Sequence, residues 1–294
     1  MDDQTVFSRE VPPALARRLF AASDLRLAIS PEMIATYRRH FDEPFGLLPP
    51  LVTDRDGEIP NYWHPAIRPA THCAMVGNIW SAEQFAQLRA FTRAAGLTVD
   101  WFGNADVAWL PKDSDEFKRD GIFCQGFLPE QQLAVRLATY PFAVIPGGSL
   151  DGTENNEWLT RLSIPSRMVF ILTKTFTPML VLGSPETAAA RFVERLGSGV
   201  SSNYDAGDAC EKIAAITAPE NREQRLGNAR RAAAGFVMPG CGEWIWRSLA
   251  ARECAPTPFD DLFAEAAGVS ETGDDFSTEA PLPETAGPVP ALSL

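Results

Sequence analysis

The chain has 294 residues, of which 45% are hydrophobic, and it carries a formal charge of −12 at pH 7. This length allows one large domain or two smaller ones with a substantial core. Residues 255–294 contain eight acidic residues and no Lys or Arg, which leaves a charge of −4 for residues 1–254. Because phosphate backbones bind basic surfaces, the acidic body argues against a nucleic-acid partner.

The spacing of the cysteines and the lengths of the apolar runs indicate the cellular compartment. The five cysteines are scattered and show neither CxxC pairs nor the spacing of a metal site, which is typical of reduced thiols. No apolar run approaches the roughly 20 residues that cross a bilayer, and MDDQTVFSRE lacks a secretory signal pattern. We therefore expect a cytoplasmic protein without a transmembrane segment, for which peripheral membrane contact stays open.

The first seventy residues predict a small helical region and a linker. Residues 12–22 and 31–41 have helical spacing, and the apolar stretch 25–29 between them predicts a strand. Ser30 predicts an N-cap, with Pro31 at the first helical position. Residues 42–70 are rich in proline, which predicts a linker. His64 in this linker could be a catalytic base, but a surface or packing histidine is the simpler interpretation.

From residue 71 onward, strand and helix patterns alternate, which is typical of a doubly wound parallel α/β sheet. Helical patterns separate most of these strands, and three more helices follow at 207–217, 219–236 and 243–253. The predicted strands are 73–76, 97–102, 121–125, 142–145, 179–182 and 200–202.

Small polar loops follow four of these strands: Gly77-Asn78, Gly103-Asn104, Gly126-Phe127 and Gly147-Gly148. Any one of these glycines is explained by a simple turn. Their clustering at the carboxyl ends of parallel strands favours a nucleotide-binding crevice. The sequence contains neither GxGxxG nor GxxxxGK[ST], so it does not support a dinucleotide or P-loop site.

The tripeptide Pro165-Ser166-Arg167 predicts the start of a helix, with Pro165 at its first position. Free N–H groups and the helix dipole at such a start favour an anion. The Ser166 hydroxyl and the Arg167 guanidinium could bind a diphosphate through charge-assisted hydrogen bonds. A capped helix that carries a surface arginine explains the same residues, and the tripeptide alone does not decide between the two.

The stretch AVIPGG…LSIPSRMVF…TPMLVLG resembles the donor-binding half of GT-B fold glycosyltransferases. VGNIW, TVDWFGN and GFLPEQQL are similar to earlier strands of that domain. Residues 25–41 resemble the end of the family's N-terminal, acceptor-side domain, and WIWRSLA resembles its C-terminal crossing helix. The resemblance covers about residues 12–253 and depends on the whole pattern, because no single motif in it is decisive.

The resemblance implies a nucleotide-sugar donor, with its base near Gly126-Phe127 and its diphosphate near Gly77-Asn78 and Ser166-Arg167. It also implies that Arg167 is catalytic and neutralises the diphosphate leaving group. That role needs no metal and no cofactor beyond the donor. Retention of anomeric configuration is the default that the resemblance implies, and inversion stays open. The implied donor-binding residues are Gly77, Asn78, Trp80, Gly126, Phe127, Pro165, Ser166 and Arg167.

The sequence departs from the family pattern in its charged residues. Residues 170–171 are apolar where many retaining members have a ribose-binding glutamate, and Glu154 or Glu157 could replace it. No basic residue follows the first strand of the domain, where many members have arginine and lysine. Lys174 and Arg161 are the candidates to compensate.

The resemblance also implies a domain layout. Residues 1–41 are expected to be a remnant of the acceptor-side domain and 42–70 a linker. Residues 71–236 form the nucleotide-sugar-binding, Rossmann-like domain and 237–254 the crossing helix. Residues 255–294 are expected to be a disordered, acidic, proline-rich tail. Because the acceptor-side domain is much shorter than the family's, we expect either a fragment or a separate chain that supplies this domain.

The sequence therefore predicts a glycosyltransferase that moves a sugar from a nucleotide-sugar donor to an unidentified acceptor, in polysaccharide or glycoconjugate synthesis. One alternative is a non-catalytic remnant that binds a nucleotide sugar or docks onto a partner. A GT-B fold epimerase is a second alternative, although its acidic and histidine residues are not recognisable. Of the tryptophans near predicted ligand loops, Trp101 is expected in the core, while Trp80 and Trp158 could stack on a base or sugar.

Overall fold

A computed structural model describes most of the chain. The described residues are 6, 11–52, 68–108, 110, 114–151, 160–257, 259–260 and 262–263. Eight strands and ten α-helices are assigned within these residues. In the N-terminal region they are α1 (Pro13–Ala22), β1 (Leu27–Ala28), α2 (Pro31–Phe41) and β2 (Gly46–Leu47).

The larger part of the chain alternates strands and helices, as predicted. Its first half contains β3 (His72–Val76), α3 (Ala82–Ala94), β4 (Thr98–Phe102), α4 (Ser114–Arg119), β5 (Ile122–Cys124) and α5 (Glu130–Leu137). Its second half contains β6 (Ala143–Pro146), α6 (Ser166–Lys174), β7 (Met179–Leu182), α7 (Ala188–Arg195), β8 (Gly199–Ser202), α8 (Ala206–Thr217), α9 (Pro219–Ala233) and α10 (Cys241–Ala251).

The six strands β3 to β8 form one parallel sheet in the order β5-β4-β3-β6-β7-β8. The order reverses between β3 and β6, so the chain crosses from one half of the sheet to the other at this pair. In a sheet of this type, ligands bind outside the carboxyl ends of the strands at such a switch point. The predicted fold class, an α/β doubly wound parallel sheet, is confirmed.

Helices cover both faces of the sheet, and alternation along each strand decides which face a side chain joins. Ala74 and Val76 of β3 pack into one core cluster with α5, α6, α7 and α9, whereas Cys73 and Met75 pack into another with α3 and α8. Because both faces are covered, β6 and β7 are apolar throughout. All four residues of β6 and of β7 are buried.

The N-terminal region forms a third apolar cluster. The Phe20 ring lies 4.9 Å from Phe41 and 5.1 Å from Phe45, measured between ring centroids. The predicted cap of α2 is confirmed, since the Ser30 hydroxyl accepts from the Met33 N–H at 2.9 Å. The segment 42–70, interpreted as a linker, also contributes β2, which pairs in parallel with β1.

The start of the predicted disordered tail is packed rather than disordered, so the prediction was wrong for these residues. Phe259 is fully buried and Phe263 is 7% exposed, and both contact Phe236. The two phenylalanines are four residues apart in an otherwise polar, proline-containing stretch, which composition alone obscures. Burying an aromatic side chain contributes about 1.5–3 kcal/mol, enough to hold a short segment against the body.

Candidate functional site

The loops that follow β3 and β6 meet at the switch point of the sheet. Gly77 and Asn78 follow β3, and Gly147 and Gly148 follow β6. The Gly147 N–H donates to the Leu182 carbonyl at 2.7 Å, which fixes this loop against the end of β7. The two loops therefore face each other across the point where ligands bind in sheets of this order.

Arg167 bridges these two loops from the first turn of α6. Its Nη1 donates to the Asn78 carbonyl at 3.0 Å, and its Nη2 lies 3.3 Å from the Pro146 carbonyl. The side chain is half-buried, and no Asp or Glu among the described residues forms an ion pair with it. Burial lowers the pKa of Arg167 to about 10, which still leaves it positively charged at neutral pH. A cation without a counterion thus lies at the switch point.

Gly77 leaves room for this arginine. Its φ is +94°, a conformation that favours glycine. A Cβ at this position would lie 3.0 Å from both Cδ and Nη1 of Arg167. The Gly77 carbonyl accepts from the Trp101 indole at 2.7 Å, and Trp101 is buried as predicted. The hydrogen bond from Trp101 and the packing of Arg167 therefore both constrain the turn at Gly77.

The start of α6 lies one residue later than predicted. Pro165 is the N-cap rather than the first helical residue, and Ser166 is the first helical residue. No side chain caps this helix start, and Ser166 is exposed. The Met168 N–H donates to the Pro165 carbonyl at 2.9 Å. Among the described residues, the N–H groups of Ser166 and Arg167 have no acceptor, so they are available to an anion together with the positive end of the helix dipole.

Asn78 and Trp80 both lie on the loop between β3 and α3. The Asn78 side-chain oxygen accepts from the Asn104 N–H at 3.3 Å, which joins the loops after β3 and β4. Trp80 is 46% exposed, and its backbone N–H donates to the Gln84 side-chain oxygen at 3.0 Å. The Ser81 hydroxyl caps α3 by accepting from the Gln84 backbone N–H. Local hydrogen bonds therefore order the segment from Trp80 to Gln84.

Two adjoining cavities connect Arg167 with the loop after β5. One, of about 450 Å³, includes Ser166, Arg167 and Leu128 in its lining. The other, of about 620 Å³, includes Gln125 and Leu128. We call the two together the donor groove.

Gly126 and Phe127 lie between Gln125 and Leu128, which both line the donor groove. Gly126 has a φ of +69°, and Phe127 is 77% exposed. Of the residues predicted for the donor, Ser166 and Arg167 line the groove, and Gly126 and Phe127 lie in the sequence between two residues that line it.

Some sequence candidates lie elsewhere. Lys174 is seven residues after Arg167, about 10 Å along α6, and its ammonium lies 4.0 Å from Glu130. Arg161 lines a different cavity. Neither provides a second cation beside Arg167. His64, Glu154, Glu157 and Trp158 lie outside the described residues.

Sequence reasoning missed two contributors to the crevice. The Pro146 carbonyl accepts from Arg167, and the Tyr204 hydroxyl donates to the Gly147 carbonyl at 3.0 Å. Tyr204 follows β8, which lies two strands away from β6. No local motif marks either residue, because both contacts depend on the strand order.

The described part of the chain contains neither a metal-binding cluster nor a membrane-spanning helix. No group of three or more His, Cys, Asp or Glu side chains there is arranged to hold a metal ion. No helix there combines the length and apolar character that a membrane span requires.

Comparisons with known proteins identify the fold. The sequence matches no protein-family profile and no curated protein. Among solved structures, HepE from Anabaena, in complex with UDP and glucose, matches with a TM-score of 0.51 at 9% identity, over 92% of this chain and 70% of HepE. Os79 from O. sativa, in complex with UDP and deoxynivalenol-3-glucoside, matches with a TM-score of 0.46 at 13% identity, over 91% of this chain and 61% of Os79.

Both neighbours are longer than this sequence, and both are similar to it at low identity. At such identity the likeness concerns the fold and not the activity. The parallel six-stranded sheet, its strand order and the match to HepE agree with the resemblance seen in the sequence. The chain has the fold of the GT-B glycosyltransferases.

Proposed function

We propose that the protein is a GT-B glycosyltransferase that moves a sugar from a nucleotide-sugar donor to an acceptor. The observation that carries the proposal is Arg167, a half-buried cation without a carboxylate partner among the described residues. It lies between the loops after β3 and β6, at the switch point of the sheet. Polysaccharide or glycoconjugate synthesis is the setting that the sequence resemblance implies.

The energetics of Arg167 favour an anionic ligand. Removing a cation from water without a counterion is costly, and here that cost appears as a lowered pKa. Its Nε atom is buried and has no hydrogen-bond acceptor among the described residues. A diphosphate beside the guanidinium would compensate the charge through charge-assisted hydrogen bonds. The uncapped N–H groups at the start of α6 would add further donors to the same anion.

The same arrangement can assist the transfer reaction. The bond between the anomeric carbon of the sugar and a diphosphate oxygen breaks, and the electron pair stays on the diphosphate. Arg167 stabilises this growing negative charge. It therefore lowers the free energy of the transition state more than that of the bound donor, and the reaction becomes faster. The new bond forms between the anomeric carbon and an acceptor nucleophile, which gives up its proton. A guanidinium in this role replaces the charge that a metal ion would otherwise supply.

The donor groove has room for the nucleoside part of the donor. Its two cavities, of about 450 and 620 Å³, are each within the range of roughly 300–1,000 Å³ typical of small-molecule sites. Phe127, exposed next to the groove-lining Leu128, and Trp80, exposed on the loop after β3, offer aromatic faces for stacking. HepE, whose fold the chain shares, is in complex with UDP and glucose.

Thermal unfolding with a panel of UDP-, GDP- and ADP-sugars tests donor binding, and we expect at least one to raise the melting temperature. Hydrolysis or transfer of that donor is then compared between the wild type and Arg167→Ala. Arg119→Ala, at the end of α4, removes an equal charge far from the groove. It should change neither the stabilisation by the donor nor the rate of hydrolysis or transfer. No stabilisation by any nucleotide sugar would contradict the proposal.

The alternative to an enzyme is a non-catalytic protein that binds a nucleotide sugar. Lys174 pairs with Glu130 and Arg161 lines a different cavity, so neither candidate adds a second cation beside Arg167. This favours the alternative, because one guanidinium balances only part of a diphosphate's charge. Donor binding without hydrolysis or transfer in any acceptor extract would support this alternative over the transferase.

A further inference from the structure

The first helix, α1, presents an apolar and basic face to solvent. Its sequence is PALARRLFAA, which contains no carboxylate and no neutral polar side chain. Ala16 is buried, and the ring of Phe20 packs against those of Phe41 and Phe45, so these residues form the inward side. We call the exposed residues of this helix the α1 face. They are Ala14, Leu15, Arg17, Arg18, Leu19, Ala21 and Ala22.

Two leucines form the apolar part of the α1 face. Leu15 is 46% exposed and Leu19 is 55% exposed, although leucine is among the residue types most often buried. The two leucines are four residues apart, so they are neighbours on the helix surface. Ala22 lies three residues further and continues the same stripe. An apolar stripe of α1 is therefore left in contact with solvent.

Two arginines, Arg17 and Arg18, lie beside this stripe. Both are exposed, and neither forms an ion pair among the described residues. Asp24, which follows α1 in the sequence, pairs with Arg252 at 3.3 Å. With two arginines and no carboxylate, α1 carries a formal charge of +2 in a chain whose net charge is −12. The α1 face thus combines exposed leucine with unpaired positive charge.

We propose that α1 docks onto the surface of an anionic lipid bilayer, with its axis parallel to the membrane plane. Helices that bind in this way carry Arg or Lys together with exposed leucine or aromatic residues. The leucines enter the boundary between headgroups and acyl chains. The arginine stems follow them, and the guanidinium groups bind lipid phosphates. This inference goes beyond the proposed transferase function and does not depend on it.

The size of the α1 face favours a bilayer over a protein partner. A helix of 10 residues is about 15 Å long and roughly 10 Å wide, so its exposed side covers about 150 Å². A stable protein interface buries about 800 Å² on each partner, which α1 alone does not provide. A bilayer needs no matched surface, and a short amphipathic helix is sufficient for weak, reversible binding to it.

An exposed tryptophan lies on the helix that contacts the segment after α1. The ion pair between Asp24 and Arg252 joins this segment to the end of α10. Trp246 of α10 is 73% exposed, and it precedes Arg252 by six residues, which is about 9 Å along the helix. Tryptophan is enriched at membrane–water interfaces. Its exposure on this neighbouring helix fits a bilayer as the common partner.

Flotation with lipid vesicles tests the docking. Vesicles of phosphatidylcholine alone are compared with vesicles that contain equal parts of phosphatidylcholine and phosphatidylglycerol. We expect the wild type to bind the anionic vesicles, to bind them more weakly as salt is raised, and to bind the neutral vesicles much less. Arg17→Gln/Arg18→Gln should weaken binding to anionic vesicles about 25-fold, because each arginine near an anionic surface contributes about fivefold in affinity.

A second variant and two controls separate the α1 face from general effects. Leu15→Ser/Leu19→Ser should weaken binding roughly tenfold or more, because it removes the apolar stripe. Arg230→Gln/Arg231→Gln removes an exposed pair of arginines from the end of α9, and Val135→Ser removes an exposed apolar side chain from α5. Neither control should change vesicle binding. Thermal unfolding checks that each variant is folded, and glutamine, a good helix former, preserves α1 in the arginine variant.

The outcomes decide between a membrane and other partners. Vesicle binding that both α1 variants lose and both controls keep supports the proposal. No binding by the wild type, or equal binding by α1 variants and controls, would overturn it. A dimer that forms without lipid, and that Leu15→Ser/Leu19→Ser dissociates in analytical ultracentrifugation, would overturn it in favour of a second copy of this chain.

Titration with UDP in the absence of vesicles keeps this inference separate from the proposed function. Both α1 variants should bind UDP as the wild type does, because α1 contributes no residue to the donor groove. Failure of the wild type to bind any nucleotide would contradict the transferase, and the flotation results would still report on α1 by themselves.

Discussion

The Arg167 guanidinium donates to the carbonyl of Asn78 at 3.0 Å, between residues 89 positions apart in the sequence. Its other Nη atom reaches the Pro146 carbonyl, so one side chain spans the gap between the loops after β3 and β6. These acceptors are neutral carbonyls, which orient the guanidinium without neutralising it. The charge is thus positioned for a ligand.

Gly77→Ala should weaken nucleotide binding. The left-handed conformation costs a non-glycine residue about 1–2 kcal/mol, and the new Cβ would lie 3.0 Å from Cδ and Nη1 of Arg167. The arginine must move, so we expect lower stability together with weaker UDP binding. Urea unfolding and calorimetric titration with UDP measure the two effects.

Gly96→Ala provides the matched control. Gly96 also has a positive φ, of +62°, but a Cβ there would meet nothing within 4 Å. This variant should lose about 1–2 kcal/mol of stability and bind UDP as the wild type does. If both variants bind UDP equally well, the contact between Gly77 and Arg167 has no role in the site.

Trp101→Phe should destabilise the turn at Gly77. The indole N–H that donates to the Gly77 carbonyl at 2.7 Å is lost, and an unsatisfied buried carbonyl costs about 1–3 kcal/mol. We expect that loss in urea unfolding and a several-fold weaker affinity for UDP. Trp246→Phe, at a residue that is 73% exposed, should change neither value. Unaltered unfolding of Trp101→Phe would show that the hydrogen bond contributes nothing.

Tyr140→Phe should remove a dependence of stability on pH. Burial, together with the hydrogen bond that the Tyr140 hydroxyl donates to Asp100, raises the pKa of Tyr140 above its ordinary value of 10. Above pH 10 the unfolded chain therefore loses this proton while the folded chain retains it, so the free energy of unfolding falls as pH rises. Between pH 10 and 11 we expect the wild type to lose about 1 kcal/mol relative to Tyr140→Phe. Identical pH profiles in urea unfolding would contradict this.

Phe259→Ala should destabilise the body of the protein. Phe259 is fully buried, and its ring lies 5.9 Å from that of Phe236. Removing a large buried aromatic side chain costs about 3–5 kcal/mol, whereas Leu19→Ala, at a residue that is 55% exposed, should cost much less. Thermal unfolding measures both. A cost for Phe259→Ala as small as that of the control would mean that this segment is not part of the core.

The sequence predicted those parts of the fold that depend on local patterns. The β-branched runs of β6 and β7 and the cap of α2 at Ser30 are local signals, and the structure confirms them. The two-residue strand β2 and the six-residue helix α4 were missed, because such short elements carry too little periodicity. The helix start at Pro165 was wrong by one residue, since proline is common on both sides of a helix boundary.

The candidate site was predictable only in part. Glycines after strands and the Pro165-Ser166-Arg167 tripeptide are visible in the sequence, but the contact of Arg167 with the Asn78 and Pro146 carbonyls is not. That contact requires β3 and β6 to be neighbours, and strand order is set by packing across the whole domain.

Single-turnover hydrolysis of the donor sugar by Arg167→Met tests the central claim most directly. If Arg167 stabilises the leaving diphosphate, the rate constant should fall by about 10²–10³-fold, and more steeply than donor affinity. Arg167→Lys, which retains the positive charge, should recover part of the rate. The free energy of unfolding should not fall, because the variant removes a buried charge without a counterion. An unchanged hydrolysis rate in a folded Arg167→Met protein would contradict the account.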